Sequence, residues 1–295
     1  YGNYGEMTNN GMEIDLGLDL IDTSEFGLST AINWSTNENE VTDLFGTESI
    51  NLSPGASVSS RAVVGYPLGS LYGTGSQTNP DGSFILNSNG FPQITSSPIV
   101  LGDPNPDWRG GISLSMRYKK FRLNAVLEHS EGGDFSPRTL WVLNRFGTTQ
   151  ETANRLTLDQ SLVNYRGNTI PAGTTVRGNV RDFGGGPVLL DENWYRTGIG
   201  GGFGDNQAYN FSIADATWTK LRDLSLSYVL DTPVIKNIGL NDVILTFTGR
   251  DLININNVDG IDPEINTKGV SVAQGVGYFT NPQTKGFLFS LTINY

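Results

Sequence analysis

His129, the only histidine of the chain, stands in "LEHSEGG" beside Glu128 and Glu131. A carboxylate-flanked imidazole can exchange a proton near neutral pH. Hydrolysis would also need a positioned nucleophile or a convergent acid–base pair, and the sequence around His129 offers neither. The 295 residues contain no cysteine, which removes thiolate nucleophiles, thiolate metal sites and disulfides. The glycine runs at 184–186 and 200–202 are not followed by Lys-Ser/Thr, so they read as flexible loop elements and not as phosphate loops. The chain therefore reads as non-enzymatic, with no catalytic residue, no cofactor and no metal.

The carboxylates of "GIDPEIN", residues 260–266, form a second cluster. Pro263 fixes its own φ and biases Asp262 toward an extended backbone, while Gly260 can supply a positive φ. Two readings follow. One is a rigid loop turn with its acids in water; the other is a calcium site from Asp259, Asp262 and Glu264, since hard cations favour oxygen ligands. The aromatic residues Trp141, Trp194, Tyr195 and Phe203 form a third group, surrounded by Asn, Asp and Arg. Aromatic faces with a few oriented polar groups hold sugar rings or peptide side chains, and equally pack one loop against another. A formal net charge of −11 argues against non-specific nucleic-acid binding, which needs a basic surface.

The elements that would carry these residues show a period of two. In "MEIDLGLDL", Met12, Ile14, Leu16, Leu18 and Leu20 alternate with polar residues and glycine. In "KGFLFSLTINY", Phe287, Phe289, Leu291, Ile293 and Tyr295 share one phase. Such alternation marks strands with one apolar and one polar face. Seven strands are expected, near 11–20, 26–36, 110–118, 121–130, 217–230, 243–252 and 286–295. Each approaches the about 9–11 residues that cross a bilayer when tilted. Helical periodicity is convincing nowhere, and 149–162 is its best candidate. Connections at 21–25, 119–120 and 231–242 are short, whereas 37–109, 131–216 and 253–285 are long. Strict alternation of short and long connections favours a membrane barrel over a soluble sandwich. In that barrel Glu13, Asp15, Arg122, Asn124, Glu128, Ser225, Ser227, Thr246, Thr248 and Arg250 face the lumen.

One strand carries a conflict. In "TWTKLRDLSLSYVL" the phase that puts Leu224, Leu226 and Tyr228 outward also puts Trp218, Lys220 and Arg222 outward. Either a bulge near Leu221–Asp223 changes the phase, or the strand projects beyond the hydrocarbon. Projection is the favoured expectation.

The phrases "NNGMEIDL", "VLGDPNPDWRGGISLSMRYKKFRLNAVLEHSEGGDF", "WTKLRDLSLSYVL" and "GRDLININNVDGIDPEIN", with the aromatic end of the chain, resemble the last third of a SusC/RagA-type TonB-dependent outer-membrane transporter. The resemblance implies an all-β fold: about seven antiparallel strands from the C-terminal part of a plugged barrel of about 22 strands. It implies that the plug and the earlier strands are absent from residues 1–295. It also implies a multi-pass outer-membrane location, a SusD-like lipoprotein partner, coupling to the TonB complex through the plug, and import of oligosaccharides or peptides. Gly102, Asp103, Pro104, Pro106 and Trp108, with Gly260, Asp262, Pro263 and Glu264, match structural motifs of that family. Phe287, Phe289, Leu291, Ile293 and Tyr295 resemble its barrel-assembly signal. The alternative is a β-rich surface protein that binds or scaffolds without transport.

Overall fold

The computed structural model describes residues 5–53, 57–200, 207–258, 260–267 and 274–295. Seven strands form one antiparallel sheet in sequential order: β1 (Glu6–Asp22), β2 (Phe26–Asp43), β3 (Trp108–Tyr118), β4 (Phe121–Glu131), β5 (Trp218–Leu230), β6 (Asp242–Asn256) and β7 (Gly286–Asn294). The sheet is open, with β1 and β7 at its edges. The apolar phase read from the sequence lies bare on one face. Ile14 is 50% exposed, Phe247 52% and Phe289 67%. A row of exposed large apolar side chains along every strand is what a lipid-facing wall presents, and a water-facing one does not. Among the described residues, no helix is long and apolar enough to cross a membrane.

The opposite face is polar and cross-linked between strands. Asn124 Nδ2 donates to Ser225 Oγ at 3.5 Å, and Ser227 Oγ lies 2.8 Å from Thr246 Oγ1. At the short-turn end, Lys119 adopts φ 53° in the two-residue turn, and its amide donates to Glu25 O at 2.6 Å. Arg117 pairs with Asp22 at 3.0 Å, and Lys120 pairs with Asp231, so ion pairs link successive hairpins along this rim.

The long connections fold. Residues Ser49–Ser53, Ser59–Val63, Ser70–Gly73 and Ile99–Gly102 make a four-stranded sheet. The connection after β4 holds a helix at Arg138–Phe146, closed by Gly147 in the left-handed region. In 149–162, the best candidate of an unconvincing helical pattern, only one turn, Gln150–Ala153, is helical. Beyond it the chain extends into Arg155–Thr157 because that strand pairs with Thr175–Arg177. Segments of two long connections, Asp134–Pro137 with Ala214–Asp215 from one and Val276–Gly277 from the other, share a small sheet that joins them.

Phase in β5 changes at a bulge. Leu221 pairs with Leu127 of β4, and the next paired residue is Asp223, opposite Val126. Against β4, Arg222 is thereby left over as the extra residue that a bulge inserts. Toward β6 the register shifts at the same place in the other sense: Leu221 faces Ile253 and Asp223 faces Arg250, so Asp251 and Leu252 stand opposite Arg222 alone. Trp218 and Lys220 therefore lie on the polar face and Leu224 and Leu226 on the apolar face. The expectation of a projecting strand is corrected: the cations turn inward because the carboxylates that pair with them lie there.

Candidate functional site: an ionic clamp at the bulge

The bulge positions Lys220 and Arg222 beneath the loop that carries Asp262 and Glu264. Gly260 takes φ 69°, and Asp262 Oδ1 accepts from the Glu264 amide at 3.0 Å, folding "GIDPEIN" into a tight turn. That turn aims both acids at the wall. Lys220 is 1% exposed; its Nζ donates to Asp262 Oδ2 at 2.6 Å, Glu264 Oε2 at 2.6 Å and Gln283 Oε1 at 3.1 Å. An ammonium has three donors, and all three are used. Arg222 donates through Nε to Glu128 Oε2 at 2.6 Å and through Nη2 to Glu264 Oε1; its Nη1 lies 3.7 Å from Asp251 Oδ1. The Trp218 ring underlies both cations, each 4.9 Å from its centroid.

Burial alone would raise the Glu264 carboxyl, but hydrogen bonds and charge from Arg222 and Lys220 hold it below the usual carboxylate range. Asp262 is buried and Glu264 half-buried; both pair with the wall instead of standing free in water, which corrects the rigid-turn reading. The calcium reading fails for a related reason. Lys220 occupies the place between Asp262 and Glu264 that a cation would take, and Asp259 lies outside the described residues. Gly260, Asp262, Pro263 and Glu264 thus form the loop half of a clamp whose wall half is Lys220 and Arg222. The sequence pointed to the first half by motif and to the second only through the phase conflict in β5.

The other motif ties loops together above β3. Asp103 donates its amide to Asp134 Oδ2 at 2.8 Å, and the Asp134 amide donates to Asp103 O at 2.6 Å. Gly102 leaves the space that Asp134 fills, since a Cβ there would lie 2.3 Å from Oδ2. Pro104 packs on Gly275, and Gln274 Nε2 donates to Asn105 Oδ1 at 3.0 Å. Burial pushes the carboxyls of both Asp103 and Asp134 above the ordinary range. Pro106 and Trp108 lie where the connection enters β3, beside Met12 and Arg109. Trp108 packs on His129 with ring centroids 4.7 Å apart. The imidazole lies 2.8 Å from Thr219 Oγ1 and 2.9 Å from Glu131 Oε2, so it braces β4 against β5.

Among the aromatic candidates, Trp194 and Tyr195 are buried, at 4% and 5% exposure. Trp194 packs against Phe91, Phe183 and Phe211 at centroid separations of 5.6, 5.5 and 5.7 Å. These rings are the core of the folded connection and present no open face for a sugar to stack on. That corrects the stacking expectation for Trp194 in favour of loop packing, while Tyr195 borders a cavity lined also by Arg177 and Arg196. The Tyr195 hydroxyl donates to Glu151 Oε1 at 3.0 Å and accepts from Asn179 Nδ2 at 2.8 Å. Burial, together with the Glu151 carboxylate, pushes that phenol well above its ordinary value. Trp141 is half-buried on the helix, at a small cavity it shares with Trp194. Phe203 lies outside the described residues. Phe287, Phe289, Leu291 and Ile293 stand exposed on the apolar face of β7, followed by Tyr295 at 94% exposure.

No family model matches the chain. It is 24% identical to "TonB-dependent receptor P3" of Formosa agariphila over 326 aligned residues, covering 99% of this chain and 29% of that protein. Its fold is similar to that of the RagAB peptide importer in the closed-closed state, with TM-score 0.62, 18% identity, and coverage of 99% of this chain and 30% of that one. A further RagAB peptide transporter structure gives TM-score 0.63 and 17% identity, again over 99% and 30%. The chain thus spans under a third of the length of these relatives. Its sequential antiparallel wall, its bare apolar face and these likenesses agree: the chain has the fold of part of a SusC/RagA-like barrel.

Proposed function

We propose that the chain is part of an outer-membrane TonB-dependent active importer of oligosaccharides or peptides that works with a SusD-like surface lipoprotein. The observation that carries the reading is the wall itself. Seven strands expose apolar residues on one face, short turns close one end, and long connections fold into a body at the other. On this reading further strands and a plug complete the barrel beyond β1 and β7, since lipid supplies no partner for an unpaired edge. TonB acts through the plug, and the folded connections meet the lipoprotein. Among the relatives, RagAB is described as a peptide importer, which makes peptides the first substrates to test. Phe287, Phe289, Leu291, Ile293 and Tyr295 serve as the assembly signal.

The test is uptake. A strain lacking the gene is given labelled peptide and oligosaccharide pools, alongside a strain whose TonB complex is inactive. Equal loss of uptake of one pool in both strains supports the importer. Normal uptake of every pool, with the protein abundant at the surface, would point to the scaffold alternative.

A further inference from the structure

A cavity of about 750 Å³ opens in the folded connection between β4 and β5, apart from the clamp. Its wall joins the end of the helix Arg138–Phe146 to the strand Thr175–Arg177 and the short helix Glu192–Arg196. Arg145, Arg177 and Arg196 line it, against the acids Asp191 and Glu192. A basic excess is unusual in a chain of net charge −11.

The acids are occupied. Asp191 accepts from the Asn193 amide at 2.9 Å and from Asn164 Nδ2 at 2.8 Å, and Glu192 pairs with Arg196. Arg177 is held differently. Its Nε donates to Thr152 O and its Nη2 to Gly147 O, each at 2.5 Å. Two neutral carbonyls fix the guanidinium plane, and no carboxylate among the described residues lies within ion-pair reach of it. Gly147 makes this possible, because at φ 69° a Cβ there would stand 2.9 Å from Arg177 Nη2. Beside it Phe146 is 70% exposed, an apolar ring open to solvent at the cavity's edge. A pre-oriented guanidinium with free N–H groups matches the two oxygens of a carboxylate.

The geometry points to a binding site for a small carboxylate-bearing ligand. The carboxylate pairs with Arg177 and the body of the ligand lies over Phe146. This inference is independent of transport, because binding is read without uptake. Acidic peptides and uronate oligosaccharides share the chemistry, so the experiment carries both.

Detergent-solubilised protein is titrated calorimetrically with tri-glutamate and with trigalacturonate; tri-glutamine and the neutral trigalactose serve as controls. At least one acidic probe binds, and its neutral counterpart binds at least tenfold more weakly, because a charge-assisted hydrogen bond contributes about a tenfold factor or more. Arg177→Gln abolishes the difference, and Arg177→Lys restores part of it. Arg177 also anchors two loop carbonyls, so two variants that leave them intact accompany it. Phe146→Ala weakens the acidic probe severalfold with an unchanged circular dichroism spectrum. Glu192→Gln releases Arg196 and tightens binding by about twofold, the worth of one surface pair. Equal binding of acidic and neutral probes, binding of neither acid, or an Arg177→Gln variant that still prefers the acid would overturn the inference.

Discussion

Replacing Lys220 by Met removes the centre of the clamp while filling most of its volume. Two acids lose a partner, with unequal consequences. Glu264 retains Arg222, and its side chain is 35% exposed, so water screens the loss. Asp262 has a side chain only 5% exposed and retains Asn254 Nδ2 at 3.1 Å and the Glu264 amide at 3.0 Å, both neutral donors. Breaking a buried pair costs about 3–5 kcal/mol because one charge stays behind without compensation. The two surviving hydrogen bonds place this case at the lower end, about 3 kcal/mol. The loop has an escape, since lifting off the wall returns Asp262 to water. The cost therefore appears as local opening before it appears as barrel unfolding. Hydrogen exchange of the amides at 260–266, measured in lipid nanodiscs, should speed up by about a hundredfold in Lys220→Met, the factor that 3 kcal/mol represents. Adding Asp262→Asn neutralises the stranded acid and should recover most of that protection. Exchange within threefold of the parent, or a double variant no better protected than the single one, would refute the account of a buried charge held by Lys220.

Acidification should act on the two loop junctions in opposite senses. Asp103 and Asp134 have raised folded-state values, so their burial cost is present above those values and fades as pH falls toward the ordinary range near 3.8, tightening the 102–107 and 132–134 junction. Glu264 is depressed; its contribution is complete above 4.5 and is lost as pH falls through its lower folded-state value, which pH-resolved hydrogen exchange of the two junctions should separate. Gly102→Ala sets a Cβ 2.3 Å from Asp134 Oδ2 and 2.8 Å from its Cβ, so it should destabilise the junction by about 1–3 kcal/mol, read as faster proteolysis of that loop. Phe289→Asp should lower outer-membrane abundance on quantitative blotting while Phe289→Leu leaves it unchanged, because charge on a lipid face costs up to about 2–4 kcal/mol at mid-bilayer and less for Asp.

The wall was legible because burial of one face by lipid enforces a strict period of two. All seven strands lie where that period puts them, with β2 running on to Asp43 where Val41 and Leu44 enter the loop core. The bulge was not legible from parity, because Trp218, Lys220 and Arg222 share a parity with Leu224 and Leu226, and one inserted residue is invisible to counting. The signal was nevertheless there: two cations and a tryptophan in a lipid phase call for partners, and the acids of "GIDPEIN" needed cations. The loop body was hardest to read. Phe91, Phe183, Trp194 and Phe211 come from two different connections and form a core only through contacts distant in sequence. The helix at Arg138–Phe146 interrupts segments with no helical pattern around it, and the Arg177 cradle depends on the left-handed Gly147.

Lys220 holds Asp262 near the start of the last long connection and Gln283 near its end. One ammonium thereby pins both feet of that excursion to the wall. The ordering entropy of the intervening chain then depends only on the stretch between the two feet, and it grows with the logarithm of length, about 0.6 kcal/mol per doubling. Residues added or removed there leave the register of β6 with β7 untouched. Variation in length is inexpensive only where it spares Glu264, which the wall also holds, and Gln274–Gly277, which tie this connection to its neighbours, so the clamp separates a stretch free to diversify from ends that must stay constant for the wall to close.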